Sequence, residues 1–209
     1  MLVDRESFAR QFDVSRETMA RLDAYEVLLK KWNPKINLVS RSTLSEIWHR
    51  HFADSAQIWA LVPKGASVWL DFGSGAGFPG LVCAVLALEK RPCLQFILVE
   101  SDQRKCAFLA SVATALGLNI RIEPARIEAL SAQKADIVTA RAVAALTQLL
   151  GLSAKHVHES TVLLFLKGNN YESELTAARK HWHIEAEEIE SLTDSSSVIL
   201  RIEDFARVE

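Results

Sequence analysis

The chain has 209 residues, 49% hydrophobic and 24% charged, with a net charge of −2. That composition suits a folded chain with one sizeable core and excludes a globally basic nucleic-acid binder, so any nucleic-acid contact must come from a local patch. No apolar run approaches the ~18 residues of a membrane span, and the first residues, Met1-Leu-Val-Asp-Arg-Glu6, are charged without an apolar signal region, so a cytoplasmic chain is expected.

Residues 1–62 carry helical periodicity. Phe8 and Phe12 lie four apart, and Leu22, Tyr25, Leu29 and Trp32 follow a 3.6-residue period. Asp13-Val-Ser15 offers an N-cap to the second helix, with Thr18 three residues beyond Ser15. Asn33-Pro34 is expected to stop that helix, because the residue before a proline disfavours the helical region. A third helix is expected over 43–61, with Ile47, Phe52, Ile58 and Trp59 on its apolar side. Pro63-Lys-Gly65 marks a boundary. The expected organisation is a small helical extension, residues 1–64, packed on a second unit, residues 65–209.

Within the extension, residues 27–45 contain no Asp or Glu but hold Lys30, Lys31, Lys35 and Arg41, with Trp32 and Asn37 among them; Arg50 lies a little further on. A basic stretch with an interleaved aromatic can track a phosphate backbone and offer a stacking surface. The same residues also suit an ordinary solvated helix end.

From Ser67 the pattern alternates. Strands are expected at 68–70, 95–99, 119–123, 136–140 and 161–166. Helices are expected at 81–88, 105–116 (closed by Gly117), 143–156 and 171–181, with a short turn at Ile127-Glu128. Two late strands, 184–189 and 198–202, are joined by a short turn and should pair antiparallel. This predicts an α/β doubly wound sheet closed by a hairpin.

Cys83, Cys93 and Cys106 are odd in number and sit in apolar stretches, which predicts small buried thiols in a reducing compartment. The histidines form three H-x-H pairs. Two fall on expected helices, where i and i+2 diverge. The third, His181/His183, can share a strand face but has no carboxylate or thiol partner, so no metal is expected.

The rest is organised around residues 68–80, Val-Trp-Leu-Asp-Phe-Gly-Ser-Gly-Ala-Gly-Phe-Pro-Gly. A strand, a glycine turn and a helix bring backbone N–H groups and a helix N-terminus against a ligand. Gly75-Ala-Gly77-Phe-Pro-Gly80 fits the dinucleotide fingerprint, with the acidic Glu100 about 20 residues on. The same stretch, Asp71-x-Gly73-x-Gly75-x-Gly77, also resembles the nucleoside loop of methyltransferases dependent on S-adenosylmethionine (SAM). A dehydrogenase needs further chain to hold its substrate, whereas here a single sheet uses up the chain beyond the extension. Five parallel strands and an antiparallel pair resemble the seven-stranded, Rossmann-like class I methyltransferase sheet. In that fold Glu100 would bind the ribose hydroxyls; the plain alternative is a carboxylate favourable at a helix N-terminus.

Trp32-Asn-x-x-x-Asn-Leu38, Arg50-His-x-x-Asp-Ser55, Asp71-x-Gly-Ser-Gly-x-Gly-Phe-Pro-Gly80, Arg126-x-Glu128, Arg141-Ala142 and Leu166-Lys-Gly168 together resemble the RsmG family, also called GidB, glucose-inhibited division protein B. The motifs run in order over residues 22–170, and several lie outside the generic cofactor loop. The resemblance implies a cytoplasmic bacterial enzyme that uses SAM to methylate N7 of one guanine in 16S ribosomal RNA of the small subunit. It places the cofactor against Gly73 and Phe78, against Ile127 and Glu128 beside the adenine, and against Arg141. It also suggests that Asn37, Arg50, His51, Asp54 and Ser55 line the junction with the sheet.

The residues add a chemical reading. After the fourth strand stands Thr139-Ala-Arg-Ala-Val143, not the Asn/Asp-Pro-Pro-aromatic signature of amino-group methylation, and no Pro-Cys nucleophile occurs. Guanine N7 has a lone pair and no proton, so it needs neither base nor covalent nucleophile. No catalytic residue is assigned; Arg141 is the candidate for positioning cofactor or guanine, unless it merely pairs with a neighbour such as Glu128. Arg50 and Asp54, four apart on a helix, can pair with each other. Lys167, at the end of the fifth strand, can meet a phosphate or the RNA. A monomer is expected. The rivals are a SAM enzyme for a small molecule or protein, with the extension as a lid, and a non-catalytic dinucleotide-binding regulator.

Overall fold

Seven strands form one sheet: β1 Val68–Phe72, β2 Gln95–Val99, β3 Ile120–Glu123, β4 Ile137–Arg141, β5 Val162–Lys167, β6 Trp182–Glu190 and β7 Val198–Arg207. The computed structural model describes residues 2–208; Met1 and Glu209, the outermost residues of the two expected units, lie outside them. The strand order is β3-β2-β1-β4-β5-β7-β6. The first five pair in parallel, and β7 runs antiparallel to both β5 and β6. The seven-stranded sheet with its closing hairpin is thus as the sequence predicts. From β1 the chain winds outward to β3, then returns to place β4 on the other side of β1. That reversal opens a crevice beyond the carboxyl ends of β1 and β4, where open α/β sheets bind ligands.

Strands β1, β2, β4 and β5 are almost wholly buried, which is why they read as continuous apolar runs rather than alternating ones. Helices α4 Gly80–Lys90, α5 Gln103–Leu116, α6 Leu146–Ser153 and α7 Tyr171–Ala178 alternate with them. Asp102 caps α5 by accepting from the Arg104 amide at 2.8 Å, and Gly117 ends it at φ +67. Helix α6 starts later than expected because Ala142, at φ +54, breaks the chain just after β4. The hairpin strands are longer than expected and carry a bulge at Glu185/Ala186.

In the extension, α2 Arg16–Ile36 packs onto α4 and α5, and α1 Arg5–Gln11 packs against residues Trp48–Ala53. Phe8, Leu22, Tyr25, Leu29 and Phe52 are fully buried in one cluster with Leu81, Val85 and Phe108. Ser15 caps α2 as expected, accepting from the Thr18 amide at 3.2 Å. Helix α2 does not stop at Asn33-Pro34. It continues to Ile36 and ends at Asn37, which is left-handed at φ 49. Asn33 bridges past that end, its Oδ1 accepting from the Val39 amide at 2.8 Å.

The continuous third helix is also corrected. Residues Arg41–Glu46 are 3₁₀, Trp48–Ala53 form a π-helix, Asp54–Ala56 a single α turn (α3), and Gln57–Leu61 are again 3₁₀. Wide π turns are rare and cluster at functional sites. Here the π turn carries Arg50 and His51. Cys83 and Cys106 are buried as expected, but Cys93 is exposed in the turn before β2, outside the packed core.

Candidate active site

The glycine loop leads directly out of β1. Gly73, Gly75 and Gly77 all have positive φ, +58, +56 and +92. A Cβ on Gly73 would stand 2.7 Å from Val143 Cγ2, and one on Gly77 would overlap Leu81 and Tyr25 Oη. Gly75 is the open point, where a Cβ would meet nothing nearer than the Gly73 carbonyl at 3.7 Å. The loop is held from three sides. The Ser74 amide donates to the Val99 carbonyl at 3.0 Å. Glu100 accepts from the Gly75 amide at 2.9 Å through Oε2 and from the Asp102 amide at 2.8 Å through Oε1. Tyr25, reaching from α2, donates its hydroxyl to the Ala76 carbonyl.

Asp71 lies beneath the loop, fully buried. Its Oδ1 accepts from Thr139 Oγ1 at 2.7 Å, across the β1–β4 pair. Its Oδ2 has no hydrogen-bond partner among the described residues and faces Gly80, where a Cβ would come within 2.7 Å. Burial pushes this carboxyl up to about 6.

Phe78 stands at the centre of an aromatic and cationic stack. The His51 ring lies 4.9 Å from it at 12°, the Tyr25 ring 5.5 Å away at 22°, and the Arg141 guanidinium carbon 4.7 Å above it. Arg141 donates to Asp54 Oδ2 at 2.9 Å, to the Arg50 carbonyl at 3.3 Å and to His51 Nδ1 at 3.2 Å. His51 Nδ1 therefore accepts, and its Nε2–H donates to Thr43 Oγ1 at 2.8 Å. Burial, reinforced by Arg141 and then Arg50, pushes the imidazole down to about 3, so it is neutral.

These contacts correct two pairings. Arg141 bonds to Asp54 and not to Glu128, whose side chain is exposed on the Ile127–Ala129 turn. Arg50 bonds to Asp194 at 3.1 Å and not to Asp54. Arg50, His51 and Asp54 do line the junction with the sheet, while Ser55 is buried behind it.

A cleft of about 600 Å³ opens on the far side of Arg141 and Val143 from the glycine loop. The ends of β4 and β5 form its floor, the π turn one wall and the β6–β7 turn another. Lys167 lies in it but is tied inward, donating to Glu174 Oε2 and to the Ala144 carbonyl, each at 2.7 Å, with its side chain only 8% exposed. On the outer surface, Lys31, Lys35 and Arg41 are exposed, and Lys30 is paired with Glu26 at 2.6 Å. Trp32 does not offer a free stacking face. It is half-buried, edge-on to Phe108 at 5.8 Å. Two residues of the site carry no sequence motif, Tyr25 and Glu174; the only signal for Tyr25 is its place on the apolar face of α2. Among the described residues no group of three or more His, Cys, Asp or Glu side chains could hold a metal ion, and no helix is long and apolar enough to cross a membrane.

The fold is that of known methyltransferases. The chain superposes on the mitomycin 7-O-methyltransferase with a TM-score of 0.58 at 16% identity, covering 99% of this chain and 74% of that one. On the ribosomal protein L11 methylase of Lactobacillus delbrueckii the TM-score is 0.56 at 15% identity, over 74% and 77%. Sequence relatives are much nearer. The ribosomal RNA small subunit methyltransferase G of Cereibacter sphaeroides is 49% identical over 96% of both chains, and that of Rhodospirillum centenum 50% identical over 95% of this chain and 90% of its own. A family model described as "GidB: rRNA small subunit methyltransferase G" matches residues 18–200, and the chain belongs to that family.

Proposed function

We propose that this rRNA methyltransferase transfers a methyl group from SAM to N7 of one guanine in 16S ribosomal RNA, acting as a monomer, without a metal, in the bacterial cytoplasm. The observation that carries the reading is the adjacency at the sheet reversal: a glycine loop open at Gly75 on one side of Val143 and Arg141, and a cleft roomy enough for a nucleobase on the other. The residues fit a nucleoside cofactor. Gly75 leaves open space for it, and Gly73 and Gly77 let the loop fold against Val143, Leu81 and Tyr25. Glu100 sits at the end of β2 for the ribose, Ile127 supplies apolar surface with Glu128 beside it, and Phe78, held in its stack, follows the loop. Asp71 supports the loop from below through Thr139.

When bound, SAM supplies a methyl group made electrophilic by its sulfonium. The chain's own part is orientation. Arg141, fixed by Asp54 and His51, holds the boundary between the two ligands, and no strong general base stands there, since His51 is neutral with both ring nitrogens engaged. N7 needs none. Orienting two reactants in this way can supply roughly 7–11 kcal/mol of a barrier.

For the RNA, Lys31, Lys35 and Arg41 are the surface cations free to meet phosphates; Lys30 and Arg50 would do so while already paired, and Lys167 acts from inside the cleft. Replacing Lys31, Lys35 and Arg41 together by Ala should flatten the salt dependence of RNA binding by about two to three in slope. The reaction itself is tested by incubating the enzyme with labelled SAM and small-subunit RNA or particles, and mapping the product. Methyl at a guanine N7, lost in Arg141→Ala, supports the reading; methyl on another atom, or full activity in Arg141→Ala, overturns it.

A further inference from the structure

Three carboxylates line the cleft: Asp54, Asp194 and Glu174. Two are fully engaged within the protein. Asp54 accepts from Arg141 through Oδ2 and from Thr193 Oγ1 and Gln57 Nε2, each at 3.0 Å, through Oδ1. Asp194 accepts from Arg50 through Oδ2 and from the Ser196 amide and hydroxyl through Oδ1. Glu174 differs. Its Oε2 takes two donors, Lys167 Nζ and the Leu146 amide, each at 2.7 Å. Its Oε1 has no partner among the described residues, and the side chain is 27% exposed. The two donors fix the carboxylate plane, so the second oxygen is aimed rather than free to swing.

A guanine that offers N7 to a methyl donor turns its opposite edge, with the N1–H and N2–H donors, away from that donor. Here that is away from the glycine loop, into the cleft. A carboxylate oxygen is the acceptor such an edge requires, and adenine, with no hydrogen on N1 and no 2-amino group, cannot offer that pair of donors. Resting on the guanine-N7 reading above, we propose that Glu174 is the base-selecting residue: Oε1 accepts from N1–H and N2–H of a target guanine turned out of its stack and seated between Arg141 and Lys167. Arg141 and Lys167 end neighbouring strands, with Arg141 in register with Leu166, so a planar base spans the distance between them.

The test uses small-subunit RNA ligated to carry either guanosine or inosine at the modified position, assembled into particles. Inosine keeps N7 and N1–H but lacks the 2-amino group. The wild-type enzyme should prefer guanosine by about tenfold or more in kcat/KM. In Glu174→Gln, the amide oxygen must turn toward Lys167 and the Leu146 amide, so its NH₂ faces the donors of the base. The guanosine-to-inosine ratio should then fall to near one with SAM affinity kept, while the thermal midpoint drops because Lys167 loses its charged partner. A wild-type ratio near one, or an unchanged ratio in Glu174→Gln, overturns the assignment of Glu174 while leaving the reaction standing. If Glu174→Gln fails to fold, the wild-type ratio alone decides. A wild-type enzyme that methylates neither RNA overturns the N7 reading and this proposal with it.

Discussion

Arg141 and Asp54, 87 residues apart in the chain, meet at 2.9 Å with both side chains under one-fifth exposed. The contact joins the end of β4 to the irregular helix of the extension, and it places the guanidinium over Phe78. A half-buried ion pair does little for net stability when intact, but removing one partner strands the other. Asp54→Asn should therefore lower stability by about 2 kcal/mol and methyl transfer by far more than SAM affinity. Thermal melting and calorimetry separate the two. Unimpaired transfer would show that Arg141 needs no anchor.

Tyr25 reaches the cofactor loop through a single hydroxyl. Tyr25→Phe keeps the ring against Phe78 and removes only the bond to the Ala76 carbonyl. A loss of about 1 kcal/mol in stability is expected, with weaker SAM binding by calorimetry. Unchanged SAM affinity would mean that β1 and Glu100 suffice to shape the loop.

The three left-handed glycines should not respond alike to Ala. Each substitution costs about 1–2 kcal/mol for the backbone conformation alone. Gly75→Ala meets nothing further and should fold, with its deficit in cofactor affinity. Gly73→Ala also presses on Val143 and should disturb the boundary with the cleft. Gly77→Ala collides with Leu81 and Tyr25 and should be the least stable of the three by denaturant unfolding. A reversed order for Gly75 and Gly77 would refute this packing.

His51 and Asp71 titrate in opposite senses. The folded His51 is pushed down to about 3 from 6.5, so its contribution to stability is lost as pH falls through that window. Asp71 is pushed up to about 6 from 3.8, so the folded state holds this proton more tightly than the unfolded chain, and stability is lost as pH rises from about 4 to 6. In the wild type the two slopes oppose. Relative to it, His51→Asn should tilt the stability profile downward with rising pH, and Asp71→Asn upward. Denaturant midpoints at several pH values between about 4 and 6.5 measure this, and parallel profiles for the three chains would contradict it.

Much of the fold is legible in the sequence because local signals agree with the global answer. The buried strands are continuous apolar runs, Ser15, Asp102 and Gly117 are caps of the expected kinds, and the glycine loop announces its own backbone. The illegible parts are of two sorts. Pro34 sits in the last turn of α2, where it forfeits a single bond to the Lys30 carbonyl without ending the helix, and the stop comes instead from the left-handed Asn37. The 3₁₀ and π turns of residues 41–61 shift side chains by a fraction of a turn, too little to alter the apolar pattern. The pairings Arg141–Asp54 and Arg50–Asp194 span 87 and 144 residues, and spacing along a helix cannot reveal them. Spacing suggests Glu128 and Asp54 only because those are the nearer charges in sequence.

The shared interior of the helical extension and the sheet has a practical corollary. Phe8, Leu22, Tyr25, Leu29 and Phe52 face the same apolar cluster as Leu81, Val85 and Phe108. A truncated chain beginning near Gly65 would leave those last three wet, together with the underside of Phe78. Such a fragment should associate with itself or be digested rather than survive as a soluble minimal enzyme, and the first 64 residues cannot be exchanged for an unrelated module without rebuilding that surface.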